Sequence, residues 1–189
     1  MDRSEPAGID PFAGIVPSLA SADIAMVNVE MAITDRGSPV QKTFVFRAPP
    51  AAAQTLAAAG VDVAVLANNH ARDYGEVGLL DSIALLTGAG VVPVGAGSVA
   101  SEAYSPAVIE LDGGISVAIV SSTQIVPSGF SATSTRAGVA TDRERVIANV
   151  RVAAADHDVV IAAVHWGIER DTCPSGTQRA FARDLLAAG

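Results

Sequence analysis

The sequence predicts an α/β fold with a mostly parallel sheet that carries an antiparallel portion. Three observations predict it. Short runs of Val, Ile and Ala recur along the chain, stretches of helical apolar spacing separate them, and one Asp-Gly-Gly turn joins two apolar runs.

Residues 11–20 are helix-like, with no strand before them. Residues 24–29 (IAMVNV) follow Asp23 and read as a buried strand. Pro49 and Pro50 open a helix over 51–59 and Gly60 closes it, since proline suits a helix start and glycine the position just past its end. Residues 61–67 (VDVAVLA) form the next strand. Asp73 and Glu76 stand at capping-box spacing, and Val77, Leu80, Ile83, Ala84 and Leu86 follow at helical intervals until Gly88 and Gly90. Residues 91–94 are a third short strand. The runs 107–111 and 115–121 flank Asp112-Gly113-Gly114 and predict a hairpin. Thr141 and Glu144 form a second capping-box pair, ahead of a helix whose apolar face is Val146, Ile147, Val150 and Ala154. Residues 159–164 are a further buried strand. Pro174 opens the last helix, with Phe181, Leu185 and Ala188 on one stripe.

No repeat or linker divides the chain, so one domain over 1–189 is expected. Its last helix stops at a glycine where a returning strand is due, which reads as the interior of a larger domain.

Composition narrows the function. Half of the 189 residues are apolar, yet only one Trp, two Tyr and five Phe occur, so small and β-branched side chains must fill the core. The single cysteine, Cys173, excludes an internal disulfide. Twelve basic against twenty acidic residues give a net charge of −8. Only one basic residue is a lysine and the arginines are scattered, which argues against a nucleic-acid partner. The apolar runs are strand-length, too short to span a bilayer, and MDRSEPAGID has no apolar h-region, so no signal peptide or anchor is expected there.

Three strands break off into polar clusters. The first delivers Asn28 and Glu30; the second delivers Asn68, Asn69, His70, Asp73 and Gly75; the last delivers His165, Trp166, Gly167 and Glu169. Ligands of open α/β sheets collect beyond the carboxyl ends of strands. Each cluster alone reads as turn or capping chemistry. Together they place a carboxylate, an amide and two of only three histidines at equivalent sheet positions. Oxygen and imidazole donors suit Mn²⁺, Zn²⁺, Fe²⁺ or Mg²⁺ rather than thiophilic ions, so Cys173 is not needed as a ligand. His157, between Asp156 and Asp158, is expected at the surface.

The series NVEMAIT, KTFVFRAPP, LANNHARDYGEVGLLDSI, VGAG with EAYSPAVIE, and VHWGIERDTCPSGTQRAFARDLLAAG resembles the bacterial capsule-synthesis CapA family, from about residue 10 to 189. NNHxxDxG followed by HWGxE carries the resemblance. It implies a calcineurin-like metallophosphatase fold, a layered β-sandwich flanked by helices (αββα), here incomplete at both ends. The family's first Gly-Asp strand and its final histidine-rich segment are missing. The resemblance also implies roles. Asn69 supplies a metal-binding amide beside a catalytic imidazole, His70. Glu30 is the metal carboxylate, with Asn28 as competitor, and His165 binds metal. Asp73 orients His70. Asn28, Asn68, Trp166 and Glu169 remain for substrate contact. Arg170 stands where the family has a tyrosine.

The expected function is a metal-dependent hydrolase or phosphoesterase in poly-γ-glutamate capsule synthesis, using a divalent ion. The expected substrate is an anionic polymer, a peptide or a phosphoester, and the expected setting is a capsule-synthesis membrane complex at the cell envelope. The alternatives are a non-catalytic polymer-binding component, with Arg47, Arg72 and Arg170 lining the groove, and a peptide epimerase.

Overall fold

The computed structural model describes residues 12–189. Pro11, where the first expected helix would open, lies outside the described residues. In chain order the elements are α1 (Val16–Ala20), β1 (Met26–Asn28), β2 (Ala32–Ile33), β3 (Arg47–Ala48), α2 (Ala51–Ala58), β4 (Val63–Val65), α3 (Gly75–Gly88), β5 (Val92–Val94), β6 (Ala96–Gly97), α4 (Ala100–Ala103), β7 (Ala107–Leu111), β8 (Ile115–Thr123), β9 (Gly138–Val139), α5 (Arg143–Asp156), β10 (Val159–His165) and α6 (Gly176–Ala188).

The protein is α/β, but its strands form two main sheets rather than one. β1, β4 and β5 make an all-parallel sheet in that order, with Asn28 opposite Val65 and Val65 opposite Val94. The second sheet runs β10-β8-β7, where β10 is parallel to β8 and β7 closes an antiparallel hairpin on it. Parallel neighbours need long crossovers, and helices α2, α3 and α5 lie within them. The hairpin thus carries the expected antiparallel portion into a separate sheet. Two short ladders, β2–β3 and β6–β9, fill the margins.

Strand alternation decides which faces meet. Val63 and Val65 share one apolar cluster with Val94, Ala107, Val117 and Ile119, so the two sheets pack on each other. Ala64 and Leu66 point the other way, into a cluster with Ala53 of α2 and Leu86 of α3. On the far side Val120 joins Val146 and Val150 of α5 with Phe181 and Leu185 of α6. Both sheets therefore carry helices on their outer faces.

Small residues permit this close approach. At Gly95, φ is +84°, and a Cβ would lie 2.6 Å from the Ala67 Cβ and 2.9 Å from the Ser121 side chain. Only glycine fits there without displacing one sheet from the other.

Two helix starts differ from expectation. Asp73 does not cap α3; the N-cap is Tyr74, with no side-chain cap bond, because both Asp73 oxygens are engaged elsewhere. Helix α5 is capped by Asp142, which accepts from Arg145 N–H, while Thr141 donates to Ser131 Oγ. The α5 entrance is also held by Tyr104, whose hydroxyl accepts from the N–H groups of Thr141 (2.9 Å) and Asp142 (2.7 Å). The start of α6 is a full capping box between Ser175 and Gln178, and Phe181, Leu185 and Ala188 are its buried stripe. Among the described residues, no helix is long and apolar enough to cross a membrane.

Candidate active site

The carboxyl ends of β1, β4 and β10 lead into one cleft of about 680 Å³, whose lining includes Glu30, Asn69, His70, His165, Trp166 and Glu169. The loop after β4 is the pivot. Asn68 is fully buried, and its amide donates to Val29 O (2.9 Å) and Asn28 Oδ1 (3.1 Å) while its Oδ1 accepts His70 N–H (2.9 Å). Substrate contact is thus closed to Asn68, contrary to expectation: its polar atoms are spent anchoring the loop that presents its neighbours.

Asn69 faces the cleft. Its Oδ1 lies 2.8 Å from Nε2 of His165, and Glu30 Oε1 lies 3.5 Å from the same nitrogen. Asn28 donates to Glu30 Oε2 at 3.1 Å, so it orients the carboxylate instead of competing with it. Asn28 faces an adjoining pocket lined by Met26, Val27, Val65, Ala163, Val164 and His165. Burial, opposed by Glu30 and reinforced by His70, holds the His165 imidazole below the ordinary histidine range. The ring is therefore neutral at neutral pH, as a metal ligand must be.

His70 is buried, and its Nδ1 lies 2.6 Å from Asp73 Oδ2. A carboxylate oxygen that close requires a hydrogen on Nδ1, which leaves Nε2 as the nitrogen available to the cleft. Asp73, with no exposed side-chain surface, also accepts Phe46 N–H on Oδ2 (2.7 Å) and Lys42 Nζ on Oδ1 (2.7 Å). The Phe46 ring stacks on the imidazole at 4.3 Å between centroids. Asp73 thus touches the histidine and not the cleft, and acts by positioning.

Lys42 and Phe46 were not among the expected site residues. Both lie in KTFVFRAPP, and Lys42 is the chain's one lysine, a signal that was present in the composition. Phe44, Ile125 and Ile168 also line the cleft and give it an apolar wall. The three arginines expected along the groove are absent from its lining. Arg47 covers the Tyr74 ring at 4.7 Å, and Arg72 is buried against Gly129 O, Glu76 and the Phe130 ring. Arg170, with φ of 70°, lies outside the lining. His157 is half-buried at the C-cap of α5 rather than on the surface, and Cys173 is exposed; neither lines the cleft.

No group of three His, Cys, Asp or Glu side chains placed to hold a metal ion occurs among the described residues. The third member of the set here is an amide oxygen. One imidazole nitrogen, one carboxylate oxygen and one amide oxygen converge, and such donors suit a hard or borderline divalent ion.

A family model described as "Bacterial capsule synthesis protein PGA_cap" matches residues 4–189. The chain belongs to this family. A "Probable polyglutamine synthesis accessory protein" of Mycobacterium tuberculosis (strain ATCC 25618 / H37Rv) is 30% identical over 181 residues, covering 89% of this chain and 48% of the relative. The "PGA biosynthesis protein CapA" of Bacillus subtilis (strain 168) is 34% identical over 124 residues, 65% of this chain and 33% of that protein. The "Capsule biosynthesis protein CapA" of Bacillus anthracis is 29% identical over 187 residues, 94% and 45% respectively. This PGA_cap chain therefore spans about half or less of the length of the curated relatives it matches.

Proposed function

We propose that this PGA_cap chain carries a metallophosphatase-type half-site of a metal-dependent hydrolase, acting on phosphoester or amide bonds in poly-γ-glutamate capsule synthesis. The observation that supports this reading is the convergence of Asn69 Oδ1 and Glu30 Oε1 on Nε2 of His165, in the cleft that His70 also lines. Two face-packed sheets with helices outside them agree with a layered αββα arrangement of that type. The capsule role comes from the names of the family and of its relatives.

Glu30, Asn69 and His165 would hold the ion. A bound Mn²⁺, Zn²⁺, Fe²⁺ or Mg²⁺ polarises a phosphoryl or carbonyl oxygen and lowers the pKa of water. Glu30 brings the negative charge, Asn69 a neutral oxygen, and His165 a neutral ring. His70 is oriented by Asp73 on one nitrogen, so the other is free to move a proton at the leaving group. Trp166 and Glu169 flank the substrate's path.

With no arginine lining the cleft, an anionic polymer relies on the bound cation for charge balance. The setting in this reading is a capsule-synthesis membrane complex at the cell envelope. Titration calorimetry with Mn²⁺ and Zn²⁺ on this chain, and phosphodiesterase and γ-glutamyl amidase turnover on a full-length relative, test it. Saturable binding lost in His165→Ala, with turnover lost in the relative's equivalent of His70→Ala, is the expected result. Turnover that survives loss of that imidazole sinks the assigned role, and polymer binding that persists after chelation without hydrolysis favours a non-catalytic component.

A further inference from the structure

The Lys42 ammonium sits at the meeting point of Asn69, His70 and Asp73. Its Nζ donates to Asp73 Oδ1 (2.7 Å) and to the backbone oxygen of Asn69 (2.6 Å), and lies 3.3 Å from His70 Nδ1. Since Nδ1 carries its hydrogen toward Asp73, the last approach is not a hydrogen bond; the imidazole and the ammonium both donate to one carboxylate. The Phe130 ring stands 5.5 Å from Nζ on another side. Lys42 is 27 residues from Asn69 and 31 from Asp73 in the chain, so these are tertiary contacts. It lies outside the cleft lining.

The Asn69 oxygen belongs to the peptide that joins Asn69 to His70. Holding that plane restrains the backbone torsions on either side of it, ψ of Asn69 and φ of His70, from which the amide reaches His165 and the imidazole reaches Asp73. The segment that carries Lys42 reinforces the grip: Val40 N–H donates to Asp73 O (2.9 Å), and Phe46 N–H to Asp73 Oδ2. Asp73 is buried and needs compensating donors, which this one segment provides on both oxygens.

We propose that Lys42 is a positioning residue that locks the Asn69–His70 peptide and so aims the candidate metal amide and the candidate catalytic imidazole together. This rests on the reading of the cleft given above, and its test does not require turnover. Because the chain has a single lysine, ¹⁵N-lysine labelling yields one ammonium resonance. In the metal-free chain it should be visible, slow to exchange, and show contacts to His70 and Asn69. In Lys42→Met, the Asn69 side-chain amide, the Asn69–His70 peptide and the His165 ring should broaden or double while the rest of the spectrum stays in place. Mn²⁺ affinity should fall by about tenfold although Lys42 is no ligand. Lys42→Arg, which keeps the charge and donors, should restore part of the loss.

A folded Lys42→Met whose Asn69, His70 and His165 signals match the parent overturns the proposal, as does a change spread evenly over the fold. If Lys42→Met does not fold, the parent's ammonium decides alone: a rapidly exchanging signal without contacts to Asn69 or His70 overturns it. Local disorder in the variant together with a parent that binds no Mn²⁺ supports the positioning role and sinks the metal reading.

Discussion

His165 and Asn69 are separated by 96 residues of chain, and the imidazole Nε2 of one lies 2.8 Å from the amide Oδ1 of the other. Their meeting is a consequence of sheet packing. Asn69 follows β4 of the parallel sheet, and His165 is the last residue of β10 in the mixed sheet. Val65 and Ala163 both belong to the apolar core between the sheets, so the strand ends just beyond them are brought level.

The contact predicts the hierarchy of ion affinity. His165→Ala and Asn69→Ala should each weaken Mn²⁺ or Zn²⁺ binding by at least about tenfold in calorimetry. His157→Ala, at the C-cap of α5 ahead of β10, should leave it unchanged. Equal loss in all three variants would dissociate binding from the cleft.

The pH response follows from burial of His165. Its folded pKa lies below the ordinary value, so the unfolded chain binds a proton first as pH falls. This contribution to stability is intact above the unfolded value of about 6.5 and declines as pH drops from there toward the lower folded pKa. In the metal-free protein, an NMR titration should place the His165 midpoint below that of an unfolded-chain histidine. Glu30→Gln should lower it further, because the Glu30 charge is the influence that raises it.

Gly95 sets the separation of the sheets. Gly95→Ala combines an unfavourable φ of +84° with a Cβ 2.6 Å from that of Ala67, and should destabilise by at least about 2 kcal/mol in urea unfolding. Gly88→Ala, in α3 with nothing within 4 Å, should instead stabilise by about 0.5–1 kcal/mol.

Tyr104 is a second anchor. Tyr104→Phe keeps the buried ring but leaves the N–H groups of Thr141 and Asp142 without their acceptor. Stability should fall by about 1–3 kcal/mol. Hydrogen exchange should quicken at those two amides before it does within α5.

Local chemistry made much of this protein readable in one dimension. Pro50 and Gly60 bracket α2, Asp112-Gly113-Gly114 turns the hairpin, and the Phe181, Leu185 and Ala188 stripe marks the buried side of α6. Each is decided by neighbours within a few residues. The polar clusters after β1, β4 and β10 were visible for the same reason, because an apolar run ending in Asn and His is a local pattern.

Asp73 shows where that reading stops. Its spacing to Glu76 suits a helix cap, yet in the fold its two oxygens go to His70, Phe46 and Lys42, and the α3 cap is left to Tyr74. A carboxylate takes the strongest donors that packing delivers, and a buried one takes a cation when the chain brings one near. Arg72 and Asn68 were redirected in the same way, to Gly129 and Val29.

Local patterns along the chain are enough to place the longer strands and helices, the hairpin turn, the buried side of α6 by its stripe, and the residue types at the strand ends. They do not place the caps of α3 and α5 or the short strands β2, β3, β6 and β9. The folded chain alone reveals that β10 pairs with β8 in a second sheet, that Lys42 reaches Asp73 and the Asn69 backbone oxygen, and that Asn68 is buried behind the cleft. The difference is one of range: propensity and periodicity act over one or two turns of chain. Strand partnership and the satisfaction of buried polar groups depend on which distant segments exclude water from one another.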